Sequence, residues 1–307
     1  MENNENKLIY AAALTYTFII GFSFLSTKIA LTVSSPLDIL AYRFTTAFLA
    51  VLVLIILKFF KLNYNIARIK RIIPLALLYP MLFFALQTFG LQYATSVEAA
   101  IMSASAPIFT LILARIFLNE KTNILQKISI VTSVSGVIFI TLMKGADFEF
   151  NNIIGITLLL LSNISLAGYS VMARILTRDF SNIELSFMMI IISFITFNTM
   201  AIGRHLLDGS LANFIAPLFS LKFIIAIAYL GVLSSLVTSI LTNYILSKIE
   251  ASKMSVFSNL GTVISIVAGV LFLKEKLYYY HIIGSILIIS GVIGTNFLDK
   301  IKLFHKH

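Results

Sequence analysis

The sequence predicts an all-α integral membrane protein with ten transmembrane helices in two inverted five-helix repeats. Hydrophobic residues make up 59% of the 307 residues and charged residues only 12%, which is more apolar surface than a soluble domain of this size buries. Apolar runs long enough to cross roughly 30 Å of hydrocarbon recur along the chain. One pentapeptide also occurs in both halves, as FLNEK at 117–121 and FLKEK at 272–276.

Ten apolar runs follow one another and are numbered here as spans 1 to 10. The first five lie at 8–31, 37–57, 72–93, 97–118 and 125–143. The second five lie at 153–176, 183–202, 221–246, 252–273 and 280–297. The runs have no period of two, which favours helices over the alternating strands of a membrane barrel. Span 1 exceeds a signal-peptide core and lacks a small-residue cleavage site, so we expect it to be retained.

The repeated pentapeptide belongs to an internal duplication. A gapless shift of 155 residues aligns 96–138 with 251–293 and matches ten of 43 positions. The predicted units are therefore a first repeat at 1–150 and a second at 151–307. Each repeat has five spans, an odd number, so the second copy enters the membrane upside down. Inverted repeats are typical of secondary transporters, whose halves open one central site to either side in turn.

The distribution of Lys and Arg predicts the orientation. With the amino terminus inside, sixteen of these residues lie on the cytoplasmic side and five on the other. This asymmetry follows the positive-inside rule. We therefore expect a multi-pass protein of the cytoplasmic (inner) membrane with both termini cytoplasmic, FLNEK inside and FLKEK outside.

The composition also argues against several function classes. The chain has no Cys, and its four His fall at helix ends or in the carboxy-terminal tail, so we expect no metal site and no cofactor. No HExxH or Walker A motif is present, and we expect no enzymatic activity. The net charge of +10 is accounted for by cytoplasmic loops rather than by nucleic acid. The expected partners are a small-molecule substrate and the lipid bilayer, for a monomer or a homodimer.

Two longer stretches carry a family resemblance. SPLDILAYRFTTAFL at 35–49 and SAPIFTLILARIFLNEKTNILQKISIVTSVSGVIFI at 105–140 resemble the EamA-type permeases of the drug/metabolite transporter superfamily. The resemblance covers nearly the whole chain as two tandem copies. It implies ten helices in inverted halves and the export or exchange of amino acids, other small metabolites or drugs. Ile20 and Gly21 stand where the family often has Trp-Gly, and Thr262 stands where the first copy has Pro107.

The resemblance further implies that spans 1, 3, 4, 6, 8 and 9 line a central cavity. The polar and aromatic residues predicted there to bind substrate are Tyr16, Ser23, Gln87, Gln92, Ser103, Ser105, Asn163, Tyr169, Asn243, Tyr244, Ser258 and Asn259. Amides in a bilayer need partners, so they face protein or the cavity, and each fits helix packing as well as ligand contact. Together they predict hydrogen bonds and aromatic faces without mid-depth charge, suited to a neutral, zwitterionic or amphipathic solute.

Charged residues near span ends are predicted to form gates or ion pairs. They are Lys28, Asp38, Arg43, Glu98, Glu120, Arg174, Glu184 and Glu275. Because charges at membrane depth are usually paired, the first four are predicted to form one outer cluster. Glu120 and Glu275 either form surface ion pairs with the Lys that follows each of them, or pair with a basic group of the other half when their side is closed.

The sequence thus predicts a secondary transporter of small metabolites, namely amino acids or related neutral or zwitterionic amphipathic solutes. It would work by alternating access, as an exporter or an exchanger. The alternatives are a multidrug or vitamin/nucleotide-type permease of the same fold, and a non-transporting membrane enzyme or receptor. All thirteen acidic residues lie in tails, loops or outer helix turns, so Glu98 is the candidate for proton coupling and uncoupled exchange is the alternative.

Overall fold

A computed structural model describes residues 2–58, 66–118, 124–143, 150–249 and 251–301. Every regular element in these ranges is helical, as the absence of a two-residue period predicted. The first repeat contains spans 1 to 5. Their helices are, for span 1, Glu2–Gly21 and Ser23–Leu31; for span 2, Pro36–Ile56; for span 3, Ile66–Ala76, Leu77–Leu82 and Phe83–Tyr93; for span 4, Ser96–Ser103 and Ala106–Leu118; for span 5, Ile124–Met143.

The second repeat contains spans 6 to 10. Their helices are, for span 6, Phe150–Leu176; for span 7, Asn182–Leu207; for span 8, Leu221–Ala228, Tyr229–Val237 and Thr238–Lys248; for span 9, Ala251–Leu273; for span 10, Tyr279–Ile301. Two short helices, Leu211–Ile215 and Ala216–Phe219, connect spans 7 and 8. The all-α, ten-helix prediction is confirmed. Within the described residues, seven spans are individually long and apolar enough to cross a membrane, and spans 9 and 10 contain shorter apolar helices.

Capping boxes fix where spans 4 and 7 begin. Thr95 accepts a hydrogen bond from the backbone N–H of Glu98 at 3.1 Å, and the Glu98 carboxylate accepts one from the Thr95 N–H at 2.9 Å. Ser181 and Glu184 form the same reciprocal pair at 3.2 and 3.0 Å. These bonds satisfy two of the N–H groups that a helix start leaves unpaired. Glu98 and Glu184 are therefore held at helix starts.

The two repeats place matching contacts at opposite ends of the bundle. Lys28, at the end of span 1, donates to the carbonyl oxygen of Leu91 at the end of span 3, at 2.8 Å. Arg174, at the end of span 6, donates to the carbonyl oxygen of Leu246 at the end of span 8, at 2.7 Å. Because the chain crosses the bundle an odd number of times between Lys28 and Arg174, the two contacts lie at opposite ends. We name these ends of the bundle the Lys28 end and the Arg174 end.

Spans 3 and 8 are interrupted at corresponding places. Span 3 is π-helical at Leu77–Leu82, and Tyr79 leaves the helical backbone there (φ −143°, ψ 127°) beside Pro80. Span 8 is π-helical at Tyr229–Val237. The Ser165 hydroxyl of span 6 donates to the Leu78 carbonyl oxygen at 2.8 Å. Irregular backbone at membrane depth occurs only where surrounding protein or a water-filled cavity can pair its polar N–H and C=O groups. These segments therefore mark the interior of the bundle.

Candidate functional site

A cavity lies between the two repeats. Its walls come from spans 1, 3 and 4 of the first repeat and spans 6, 8 and 9 of the second. These are the six spans that the family resemblance implied. The lining residues are Tyr16, Ile20, Ser23, Phe24, Tyr79, Phe83, Phe84, Gln87, Ser103, Ala106, Leu166, Tyr169, Ser234, Thr238, Thr242, Gly261, Thr262 and Ser265.

Aromatic rings form one side of the cavity. Tyr79 stacks on Tyr169, with ring centroids 4.5 Å apart and planes 28° from parallel. Phe83 and Phe84 pack against Tyr79 at 5.3 and 5.2 Å. The Tyr169 hydroxyl donates to the Asn243 side-chain oxygen at 2.8 Å, which fixes the ring. Such a wall offers flat apolar contact area to a solute.

Hydroxyls backed by a buried cation form another part of the cavity wall. Ser234 of span 8 donates to the Ser23 oxygen of span 1 at 2.8 Å, and both line the cavity. Behind Ser234 lies Arg43 of span 2, which is fully buried. Its Nη2 donates to the Ser234 hydroxyl at 2.9 Å and its Nε donates to the Ser235 hydroxyl at 2.7 Å. Its guanidinium carbon lies 3.5 Å from the Phe84 ring centroid.

The interrupted spans supply both walls. Tyr79 and Ser234 lie in the π-helical segments of spans 3 and 8. They are 155 residues apart, which is the offset of the internal duplication. Interrupted helices at corresponding positions of inverted repeats are a recurrent device of transport sites. The sequence signal that could have located Tyr79 is Pro80, which breaks an otherwise continuous apolar span.

The structure brings five of the twelve predicted substrate-binding residues together around the cavity. These five are Tyr16, Ser23, Gln87, Ser103 and Tyr169. Gln92 is exposed, and Tyr244 packs on the apolar cluster that includes Tyr169. Asn243 lies behind Tyr169 and donates to Ser186 at 2.9 Å, so it supports the wall without lining it. The side chains of Ser258 and Asn259 lie outside the described residues.

Asn163 and Ser105 donate hydrogen bonds at the break in span 4. The Asn163 amide donates to the Met102 carbonyl oxygen at 2.8 Å, and the Ser105 hydroxyl donates to the same oxygen at 2.6 Å. Span 4 loses regular helix between Ser103 and Ala106, and this carbonyl oxygen accepts from both side chains as well as from the backbone N–H of Ser105 at 3.0 Å. Both residues act as helix-packing groups, which is the alternative that the sequence left open.

We expect Asn163→Leu and Gln87→Leu to have different effects. Asn163→Leu removes a donor from a buried carbonyl and should lower the free energy of unfolding by about 1 to 2 kcal/mol. Gln87→Leu changes a cavity-lining side chain and should weaken solute binding while folded yield stays near wild type. Thermal unfolding in detergent and solute flux in liposomes measure the two effects. Equal loss of stability in both variants would contradict the assignment of Gln87 to the cavity wall.

Several polar residues of the cavity wall were not predicted from the sequence. The missed polar residues are Tyr79, Ser234, Thr238, Thr242, Thr262 and Ser265. Three of them, at 234, 238 and 242, recur every four positions and so share one face of span 8. A hydroxyl stripe at this spacing within an apolar span was the available signal. Thr262 was visible in the sequence only as the residue that replaces the first copy's Pro107.

The predicted outer cluster is wrong for Asp38 and Arg43. Asp38 is bound by Arg204 at 2.8 Å and by His205 at 3.0 Å, both at the end of span 7. Arg43 instead reaches the hydroxyls of span 8. Asp38 and Arg43 are five positions apart on one helix, so their side chains project roughly 140° apart. Lys28 donates to Leu91 and Glu98 caps span 4, as described above.

Ion pairs join the two repeats at the Arg174 end. Arg68 of span 3 pairs with Glu184 of span 7 at 3.3 Å, and Arg71 pairs with Asp179. The Arg68 guanidinium also lies 4.5 Å from the Phe180 ring centroid. Exposed pairs of this kind contribute about 0 to 1 kcal/mol each. Glu184 therefore has a basic partner on the other repeat, which is the arrangement that the gate hypothesis proposed for Glu120 and Glu275.

Glu275 joins the repeats at the Lys28 end through a helix start. Its carboxylate accepts hydrogen bonds from the backbone N–H groups of Ser96 and Val97, both at 2.9 Å, and from the Ser96 hydroxyl at 2.8 Å. Span 9 ends just before it, and Lys274 takes the left-handed backbone (φ 55°) that turns the chain. The sequence predicted a basic partner for Glu275, but the partner is the positive end of the span 4 dipole. Glu120 lies outside the described residues.

Comparisons with known proteins relate this chain to a family of transporters. The EamA-like transporter family model matches residues 7–142 and 153–297. The "uncharacterized transporter YcxC" of Bacillus subtilis (strain 168) is 46% identical over 296 residues, which cover 96% of this chain and 95% of that protein. An "uncharacterized transporter" of Archaeoglobus fulgidus is 30% identical over 286 residues, which cover 91% of this chain and 95% of that protein.

A solved structure described as "Crystal structure of protein" has the same fold. It superposes with a TM-score of 0.65 at 13% identity, covering 96% of this chain and 99% of that one. Two matches to one family model span both repeats, and the relatives match over nearly their whole length. The chain belongs to the EamA-like transporter family and is a multi-pass membrane transporter.

Proposed function

We propose that this protein is a secondary transporter that moves small metabolites across the cytoplasmic membrane by alternating access. The solutes are amino acids or related neutral or zwitterionic amphipathic molecules, and the mode is export or exchange. The observation that carries the proposal is the cavity between the repeats, with its aromatic wall and its hydroxyl wall. Because each repeat supplies three of the six lining spans, movement of one repeat against the other changes the access to the cavity.

Contacts between the repeats at both ends support an alternating mechanism. The Lys28 end carries the bonds from Glu275 to the start of span 4, and the Arg174 end carries the pair of Arg68 with Glu184. In alternating access, the contacts at one end of the bundle break while those at the other end stay intact. Each set of contacts consists of only a few bonds. A solute that binds the outward-open and inward-open states with unequal affinity can therefore shift the equilibrium between those states.

Counterflow into liposomes tests the transport function. Purified protein is reconstituted in vesicles loaded with an unlabelled pool of amino acids and other small metabolites, and uptake of the labelled pool is followed with and without a pH gradient. We expect transient accumulation that requires the internal pool. A dependence on the pH gradient would indicate proton coupling, and equal uptake in both conditions would indicate uncoupled exchange. If no labelled compound accumulates above the level of protein-free vesicles, the proposed function is wrong.

The orientation is tested by labelling single cysteines, which is direct because the chain has no Cys. We propose that both termini are cytoplasmic and that the Lys28 end faces outside. Cysteine at Lys274 should then react with a membrane-impermeant maleimide added to intact cells, whereas cysteine at Asn119 should react only after the membrane is permeabilised. Labelling of both positions from the same side would contradict the inverted arrangement.

A further inference from the structure

The charge of Arg43 has no carboxylate partner within the described residues. Arg43 is 0% exposed, and no carboxylate among the described residues forms an ion pair with it, whereas Arg68, Arg71, Arg204 and His205 each have such a pair. The Nη1 atom of Arg43 has no hydrogen-bond partner among the described residues. A buried cation at membrane depth is costly and is normally paired. The stacking of Arg43 on Phe84 offsets only part of this cost and leaves the charge in place.

The surroundings direct this charge toward the cavity. Ser234 and Phe84 contact the guanidinium on one side and line the cavity on the other. No Asp, Glu, Lys or Arg occurs among the lining residues, so none of them neutralises the charge. In a medium of low dielectric constant a single charge is felt over several ångströms. The hydroxyl side of the cavity is therefore electropositive.

We propose that Arg43, Ser234 and Ser23 form a subsite for the carboxylate of the transported solute, which rests on the transport function proposed above. A solute carboxylate accepts a hydrogen bond from the Ser23 hydroxyl, whose oxygen accepts from Ser234, and balances the charge of Arg43 behind Ser234. One cation matches one negative charge, so a carboxylate fits better than a phosphate dianion. The aromatic wall of Tyr79, Phe83 and Tyr169 takes an apolar or aromatic body.

This subsite narrows the substrate class. A solute without a carboxylate leaves the cation behind Ser234 unbalanced, whereas an amino acid or a 2-oxo acid balances it. The lining residues offer no carboxylate for the ammonium of an amino acid. The subsite therefore recognises the carboxylate rather than the amine, and selectivity depends on the presence of that group.

Competition against the counterflow of the metabolite pool tests the subsite. Phenylpyruvate and phenylalanine share a ring and a carboxylate, whereas phenylalaninamide keeps the ring and the amine but has lost the carboxylate. We expect the two carboxylates to inhibit wild-type counterflow at concentrations at least tenfold lower than phenylalaninamide does. Phenyl phosphate, tested in parallel, should compete more weakly than phenylpyruvate. Arg43→Gln should abolish the preference for the carboxylates, and Arg43→Lys, which keeps the charge but not the fork, should retain part of it.

Matched variants separate recognition from folding. Ser23→Ala removes a lining hydroxyl and leaves the bonds between Arg43 and span 8, so it should reduce the preference about threefold with wild-type yield. Ser193→Ala removes a buried hydroxyl away from the cavity, and Lys222→Gln removes an exposed charge. Both should keep the full preference. A purely structural Arg43 would change yield or stability in Arg43→Gln without changing the ratio of the inhibitory concentrations.

The outcomes distinguish the subsite from the transport function. If the pool undergoes counterflow but phenylalaninamide competes as well as phenylalanine, or none of the four compounds competes, the transporter stands and the carboxylate subsite is wrong. The same holds if phenyl phosphate is the strongest competitor or if Arg43→Gln keeps the preference. If no pool compound undergoes counterflow, both proposals fail.

Discussion

Gly231→Ala is expected to abolish most transport and to lower the free energy of unfolding by about 1 to 3 kcal/mol. Gly231 lies in the π-helical part of span 8, against span 2. A Cβ atom there would lie 2.7 Å from the carbonyl oxygen of Arg43 and 3.0 Å from the backbone nitrogen of Ala47. Backbone atoms cannot rotate aside, so the two spans must separate. That separation moves Ser234 away from Arg43 and opens the hydroxyl wall of the cavity.

Gly203→Ala is the matched control for this substitution. Gly203 also lies inside a membrane-spanning helix, but a Cβ atom built there meets nothing within 4 Å. Alanine favours helix over glycine by about 0.8 to 1 kcal/mol, so stability should be unchanged or slightly increased and flux should be normal. Thermal unfolding and counterflow of both variants, measured side by side, check the prediction. Wild-type stability in Gly231→Ala would show that spans 2 and 8 are not in contact at this position.

Glu275→Ala is expected to open the Lys28 end. The substitution removes the three hydrogen bonds that hold the end of span 9 to the start of span 4. If their combined contribution to the closed state is about 2 kcal/mol, the ratio of open to closed molecules rises more than tenfold. The rate at which a membrane-impermeant maleimide labels a single cysteine at the cavity residue Ser103 should rise by about that factor from the Lys28 side.

Lys276→Ala is the control for charge and position. Lys276 is exposed and follows Glu275 directly, so its removal changes the local charge but not the bonds to span 4. Labelling should stay at the wild-type rate. Glu275→Gln, which keeps an acceptor oxygen but loses the charge, should give an intermediate rate. Equal labelling in wild type and Glu275→Ala would mean that these bonds do not hold the Lys28 end closed.

The charged residues show how far sequence spacing predicts contacts. The sequence predicts that Lys28 and Arg174 take part in gates or ion pairs, and the structure gives them equivalent carbonyl partners. The partners themselves could not be read from the sequence, since Leu91 and Leu246 offer backbone oxygens. Glu275 has a partner on the other repeat, but that partner is also backbone, at the start of a helix. A sequence shows side chains, whereas the polar backbone groups available at membrane depth depend on where helices begin, end and break.

The sequence by itself determined the fold class, the ten spans, the duplication and the family, because these follow from apolar run length, an odd span number and repeated motifs. It also indicated which six spans surround the cavity. Only the tertiary structure decided which side chains line it. Asn163, predicted to bind substrate, donates to the backbone at the break in span 4. Tyr79 and Ser234 line the cavity because they lie in interrupted helices, and no linear pattern specifies how such a helix is rotated. The burial of Arg43 behind Ser234 was likewise decided by the close packing of span 8 on span 2 at Gly231.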